Sequence, residues 1–263
     1  MKKVMIKFVA LGIAFILITM ITISIMPTLT LRQRGMESYV GEFVQVYYEK
    51  ENEAAYDVFA CAELEITQLS EKLEVELDHP INIYVYDKKE TFQTKKYGLF
   101  VQWIDLDWYV GDNVKDEVIL TSPASDKLLF TYDSMVEITL HELVHAMNYQ
   151  INPKMSLWIN EGVALYLTNG NPPRYLLDYY NDTPSLKQMQ TANPIAFANM
   201  GGYDFSYTYI RFIDEAYGWD YVLSLMHFMN YQEVFGKTEQ AIYNEWITFL
   251  TIHYTEQAVP VND

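Results

Sequence analysis

The sequence predicts an α+β protein with one N-terminal apolar helix and a mostly helical C-terminal half. Three observations carry this. An uncharged, mainly apolar run extends from Phe8 to Leu31. The stretch INIYVYD, residues 81–87, follows Pro80 and alternates in the way of a half-buried strand. After Pro123 apolar residues recur at three- and four-residue spacing almost to the C-terminus.

The N-terminal run is preceded by Lys2, Lys3 and Lys7. It is longer than the apolar stretch of about 7–15 residues in a cleavable signal peptide and matches the roughly 20 that a spanning helix needs. The bulky ISIMPTLT that follows offers no small-residue cleavage site. A single-pass signal anchor is therefore expected over residues 1–31. The three leading lysines place its N-terminus in the cytoplasm and the rest of the chain outside.

All 35 acidic residues and 15 of the 18 basic ones follow the span, which leaves the remainder at −20. Such a surface argues against nucleic acid and against a polybasic membrane-docking face. Half of the 263 residues are hydrophobic, enough for one substantial core. The single cysteine, Cys61, permits no intramolecular disulfide and no cysteine-based zinc site, and fits a bacterial cell-surface protein. Its apolar helical setting makes it a small core residue.

Residues 32–35 read as a short polar linker. Residues 36–77 read as helical, with Val40, Phe43, Val44, Tyr47 and Tyr48 at helical spacing, and a break is expected near Asn52. The strand at 81–87 comes next, then a short helix ending near Gly98. DWYVGDNVKDEVILTSP reads as two strands about a turn at Gly111-Asp112-Asn113. Either EVILTS or DWYV is a candidate free edge to which a peptide adds as a further strand. A helix capped by Asp133 or Ser134, with Glu137 completing a capping box, runs to about Gln150 and ends at Asn152-Pro153. A second covers about 157–168 and stops at Asn169-Gly170. Short turns follow. Longer helices are then expected from the GGYDF stretch to Gly218, over 220–230 and over 238–253.

The chemistry concentrates in residues 137–167, which contain HELVH and WINEG. His141 and His145, four apart on a helix, project from one face and can share a metal ion. Glu142 lies beside them, within reach of a water on that metal. Zinc takes neutral imidazoles and lowers the pKa of its water, and a nearby carboxylate then removes the proton as the water attacks a carbonyl. A third ligand is required. Glu161 is the natural one, because the turn at Pro153 lets its helix fold back antiparallel. His79, His227 and His253 are the rivals.

HELVH followed by WINEGVALYL resembles the gluzincin peptidases, the clan of thermolysin and the aminopeptidase N group, and most closely the bacterial peptidase MA-like domain proteins. The resemblance covers residues 36–254 and is specific over 137–167. It implies a thermolysin-like zincin domain with a small mixed sheet. It also implies one Zn2+ held by His141, His145 and Glu161, with Glu142 as general base. In the aminopeptidase group a tyrosine opening a later helix hydrogen-bonds the oxyanion; YDFSYTYIRFIDEAYG has that layout, with Tyr203 in the matching place and Tyr207 one turn on.

Two features depart from the family. No G-x-M-E-N element is present to hold a free amine, so an aminopeptidase is not expected. Leu165 stands where thermolysin-like members carry the Asp that orients a histidine, which leaves Asn160 or a backbone carbonyl for that task. The expected organisation is an anchor at 1–31, a linker at 32–35, a gluzincin domain at 36–254 and a tail at 255–263. The expected activity is zinc-dependent hydrolysis of peptides or proteins outside the cytoplasm. The alternative is an inactive zinc- or ligand-binding protein on a peptidase fold.

Overall fold

The computed structural model describes residues 2–104, 106–126, 128–168 and 170–255, without the side chains of residues 2–10. Most of the expected tail and Asn169 lie outside the described residues. Two compact units are present. The first comprises Met1–Leu64 and His79–Thr139, the second Glu65–Asp78 and Leu140–Asp263.

The first unit opens with α1 (Lys2–Ile25), followed by a 3-10 turn at Met26–Leu29 with Pro27 in its first turn. The segment Leu11–Leu29 has a mean hydropathy of 2.1 and is only 6% buried, so by length and composition it can cross a membrane. Residues 32–35 form a turn closed by Met36 N–H on the Gln33 carbonyl. The sheet follows: β1 (Glu37–Val40), β2 (Val44–Tyr48), β3 (Ile81–Tyr86), β4 (Gly111–Val114) and β5 (Glu117–Thr121). Its order is β1-β2-β3-β5-β4, with the three central strands parallel and both edge strands antiparallel. The crossover between β2 and β3 contains α2 (Asn52–Leu73); that between β3 and β5 contains α3 (Lys89–Tyr97).

Several expectations are corrected here. The segment expected to be the first helical part, from Met36, is the β1–β2 hairpin. In β2 four of five residues are buried, because parallel central strands are covered on both faces and lose clean alternation. The apolar spacing that reads as helical is this continuous burial. The Glu63 carboxylate fixes the hairpin turn by accepting from Glu42 N–H (2.7 Å) and Val44 N–H (3.1 Å). Gly111-Asp112-Asn113 is not a turn but part of β4. The turn is Lys115-Asp116, a two-residue hairpin loop in which Lys115 has φ 59°. DWYV forms no strand, and EVILTS is β5, bonded on both sides by β3 and β4. Neither is a free edge; β4 is one.

The unit's core gathers Leu31, Met36, Tyr47, Tyr84, Tyr86, Phe92 and Ile119. Tyr47 and Tyr84 stack across the β2–β3 pair at 5.1 Å, and Arg32 lies over the Tyr47 ring at 4.6 Å. Cys61 is half-buried on α2.

The second unit is helical. It holds the greater part of α4 (Tyr132–Ile151), then α5 (Leu157–Leu167), three short helices α6 (Leu176–Tyr180), α7 (Leu186–Met189) and α8 (Pro194–Asn199), and α9 (Gly202–Tyr217). It closes with α10 (Trp219–Phe228), α11 (Tyr231–Phe235) and α12 (Glu239–His253). Its centre is aromatic: Trp158, Tyr209 and Phe205 all meet the buried Trp246 edge-on, at centroid distances of 5.5–6.1 Å. The Trp246 indole N–H donates to Thr208 Oγ1, so the one polar atom of that ring is satisfied.

Candidate metal centre

Two helices build the site. The cap of α4 is Thr131, whose Oγ1 accepts from Ser134 N–H (3.2 Å), rather than Asp133 or Ser134; the position three residues after the cap is then Ser134 and not Glu137, so the expected capping box does not form. The helix stops before Pro153. Asn152 secures the stop, accepting from Lys154 N–H and donating to the Met226 carbonyl. Ser156 then caps α5 by accepting from Ile159 N–H. Only five residues separate the two helices, which turns α5 back beside α4.

The α5–α9 contact is unusually close at Gly162, the glycine of WINEG. A Cβ there would lie 2.6 Å from the Ser206 carbonyl oxygen and 2.8 Å from Ile210 Cγ1. Trp158, Ile159, Val163 and Ala164 of the same helix are buried as well. With that contact fixed, Glu161 is turned toward α4.

There it meets both histidines. The Nε2 atoms of His141 and His145 are 3.0 Å apart, and Glu161 Oε2 lies 3.4 Å from the first and 3.5 Å from the second. The imidazole planes are nearly perpendicular, at 87°. Three ligand atoms at 2.0–2.1 Å from a tetrahedral zinc are separated by about 3.3 Å. The triangle of this site has nearly those edges. Glu161 Oε2 is buried and accepts no hydrogen bond of ordinary geometry, so it is an oxygen in need of a cation. The donor set of two imidazoles and one carboxylate suits zinc with a position left open. Among the described residues this is the one group of three or more His, Cys, Asp or Glu side chains whose ligand atoms converge within 4.8 Å. The rival histidines are elsewhere: His79 is exposed beside the Pro80 carbonyl, His227 ends α10, and His253 packs on Phe249.

The electrostatics follow from this crowding. Burial by itself lowers the His145 pKa, but the Glu161 carboxylate, with smaller help from Glu142 and Asn160, outweighs it and raises the pKa to about 9. Burial likewise raises Glu161, and the two histidines overcome this and hold it well below the usual carboxylate range.

Glu142 is buried next to His141 on α4, with 6% of its surface exposed. Tyr203 lies in the first turn of α9, partly buried and edge-on to Phe197 at 5.0 Å. Tyr207, one turn on, packs against Tyr166. Asn160 sits where it helps raise His145, and its Oδ1 accepts from Asn148 Nδ2 at 2.9 Å. Asn148 itself is almost fully buried. Reasoning from sequence passed over it, although His141, His145 and Asn148 mark one helical stripe at i, i+4 and i+7.

No family model matches this chain, and no curated protein matches it significantly. The resemblance to gluzincins therefore rests on the residues of HELVH and WINEG and on the geometry they adopt.

Proposed function

We propose that this chain is a membrane-anchored zinc metallopeptidase of gluzincin type, acting on peptides or proteins on the extracytoplasmic side. One observation carries the reading: a three-atom cradle of the right size, built from His141, His145 and Glu161, with a buried glutamate directly after the first histidine. A small mixed sheet followed by a helical half supports a thermolysin-like zincin fold. Zinc held there supplies Lewis acidity toward water and carbonyl oxygen. Glu142 accepts a proton from the attacking water and returns one to the leaving amine. Tyr203 donates a hydrogen bond from its phenol to the oxygen that gains charge. Without an amine-holding glutamate, the preferred substrates are internal peptide bonds rather than free N-termini.

Purified full-length protein tests this directly. One zinc per chain is expected, and His141→Ala should lose it. Glu142→Gln should keep the zinc while cleavage of a broad peptide library falls by about 10²–10⁴-fold. Substoichiometric metal that is indifferent to His141→Ala would remove the metal site. Stoichiometric zinc with no cleavage beyond that of Glu142→Gln would instead favour a zinc-binding protein without catalysis.

A further inference from the structure

After α3 the chain passes through Gly98 into a 3-10 helix, Leu99–Trp103. Leu99 (45% exposed), Phe100 (39%), Trp103 (79%) and Ile104 (58%) are all exposed to solvent, while Val101 between them is buried. Gln102 fastens the turn to α3 by donating to the Glu90 carbonyl and to Thr94 Oγ1. Residues three apart nearly eclipse in a 3-10 helix. Phe100 and Trp103 accordingly meet edge-on at 5.2 Å. Four exposed large apolar side chains within six residues are a surface that water does not favour.

What covers that surface is indicated by its neighbour. Phe100 N–H donates to Ser24 Oγ (3.3 Å), and Ser24 is buried in the last turn of α1. Gly98, at φ 79°, approaches Ser24 so closely that a Cβ would fall 2.4 Å from its carbonyl oxygen. Lys95 Nζ donates to the Thr30 carbonyl and the Tyr86 hydroxyl to that of Leu31, which fixes the exit of α1. The aromatic turn is thus bonded to the helix that can cross a bilayer. Ser24 lies five residues before Leu29, the end of the apolar segment. At about 1.5–2 Å per residue this is a depth of about 8–10 Å. Interfacial elements sit about 5–10 Å into the headgroup–acyl boundary. Tryptophan favours that level.

We propose that Leu99, Phe100, Trp103 and Ile104 form a second membrane contact, inserted into the leaflet from which α1 emerges. The proposal rests on α1 spanning the bilayer. With −20 on the chain beyond the span, the contact is apolar rather than electrostatic, and neutral phosphatidylcholine suffices for it.

The test is tryptophan quenching in the full chain, reconstituted into phosphatidylcholine vesicles brominated near the acyl-chain interface. Trp158 and Trp246 are buried and contribute little. Quenching is expected in the wild type, with more than half of it lost in Trp103→Phe. A Leu99→Ser/Phe100→Ser/Ile104→Ser variant, which keeps Trp103, should also lose most of it. Quenching that is absent from the wild type, or unchanged in Trp103→Phe, overturns the proposal. Alkaline carbonate extraction reports α1 separately. A chain that stays in the pellet without quenching keeps its anchor and lacks the contact. One that is extracted, quenched or not, lacks the spanning helix on which the contact rests and overturns the proposal.

Discussion

His145 shows how much of this site is set by one neighbour. It is buried, and burial disfavours the imidazolium; the Glu161 carboxylate, within 3.5 Å, does most to reverse that preference. In metal-stripped protein, Glu161→Gln should therefore bring the His145 pKa down from about 9, since burial is then opposed only by Glu142 and Asn160. Histidine titration followed by NMR reads this directly. A His145 pKa that stays near 9 in the variant would show that Glu161 is not its partner. The histidines and both glutamates were legible in the sequence because i, i+4 spacing is a property of any helix. The role of Asn160 was legible only as a candidate, because no motif says which side chain lies behind an imidazole. Asn148 is the residue that places Asn160, and it becomes visible only once α5 has folded back on α4.

Among the elements, α5 depends most on a single position. Gly162 is not in a left-handed conformation; it is required by the approach of the α9 backbone at Ser206. Gly162→Ala should force α5 and α9 apart and destabilise the protein by about 1–3 kcal/mol, despite alanine's better helix propensity. Because Glu161 is the preceding residue, zinc affinity should fall with it. Denaturant melts and a zinc competition assay check the two effects; a stability equal to or above wild type would show that the contact yields freely. Helices with caps and breakers, such as α5 between Ser156 and Thr168, were readable from sequence alone. The β1–β2 hairpin was not. Val44, Val46, Tyr47 and Tyr48 are all buried, and a strand covered on both faces has no period with which to announce itself. The edge strand β4 was misplaced for a related reason: Gly111-Asp112-Asn113 has turn composition, but Lys115-Asp116 makes the turn.

At the scale of the whole molecule, a metal ion held at this site would compete with protons for the same residues. In stripped protein the folded-state pKa of His145, about 9, exceeds its ordinary 6.5. Its stabilising contribution is thus complete below pH 6.5 and is lost as pH rises through 9. Glu161 is depressed from its ordinary 4.5, so its contribution is present above that value and is lost as pH falls. The stripped protein should be most stable, as far as this pair decides it, between about pH 4.5 and 6.5. Zinc held as proposed would compete with the proton for His145 Nε2, so its affinity would rise over the interval in which the ion pair is lost. At a thousandfold excess over its dissociation constant, zinc adds about 4 kcal/mol, which for a chain of this size raises the melting temperature by on the order of 10 °C. The difference in melting temperature between zinc-loaded and chelator-treated protein should therefore widen from pH 6.5 to 9. His141, His145 and Glu161 all lie in the second unit. Hydrogen-exchange protection lost on chelation should accordingly concentrate in Leu157–Leu167 and the C-terminal half of α4. A gap that stays constant with pH would mean that zinc and the proton do not share His145, and the ligand set would have to be redrawn.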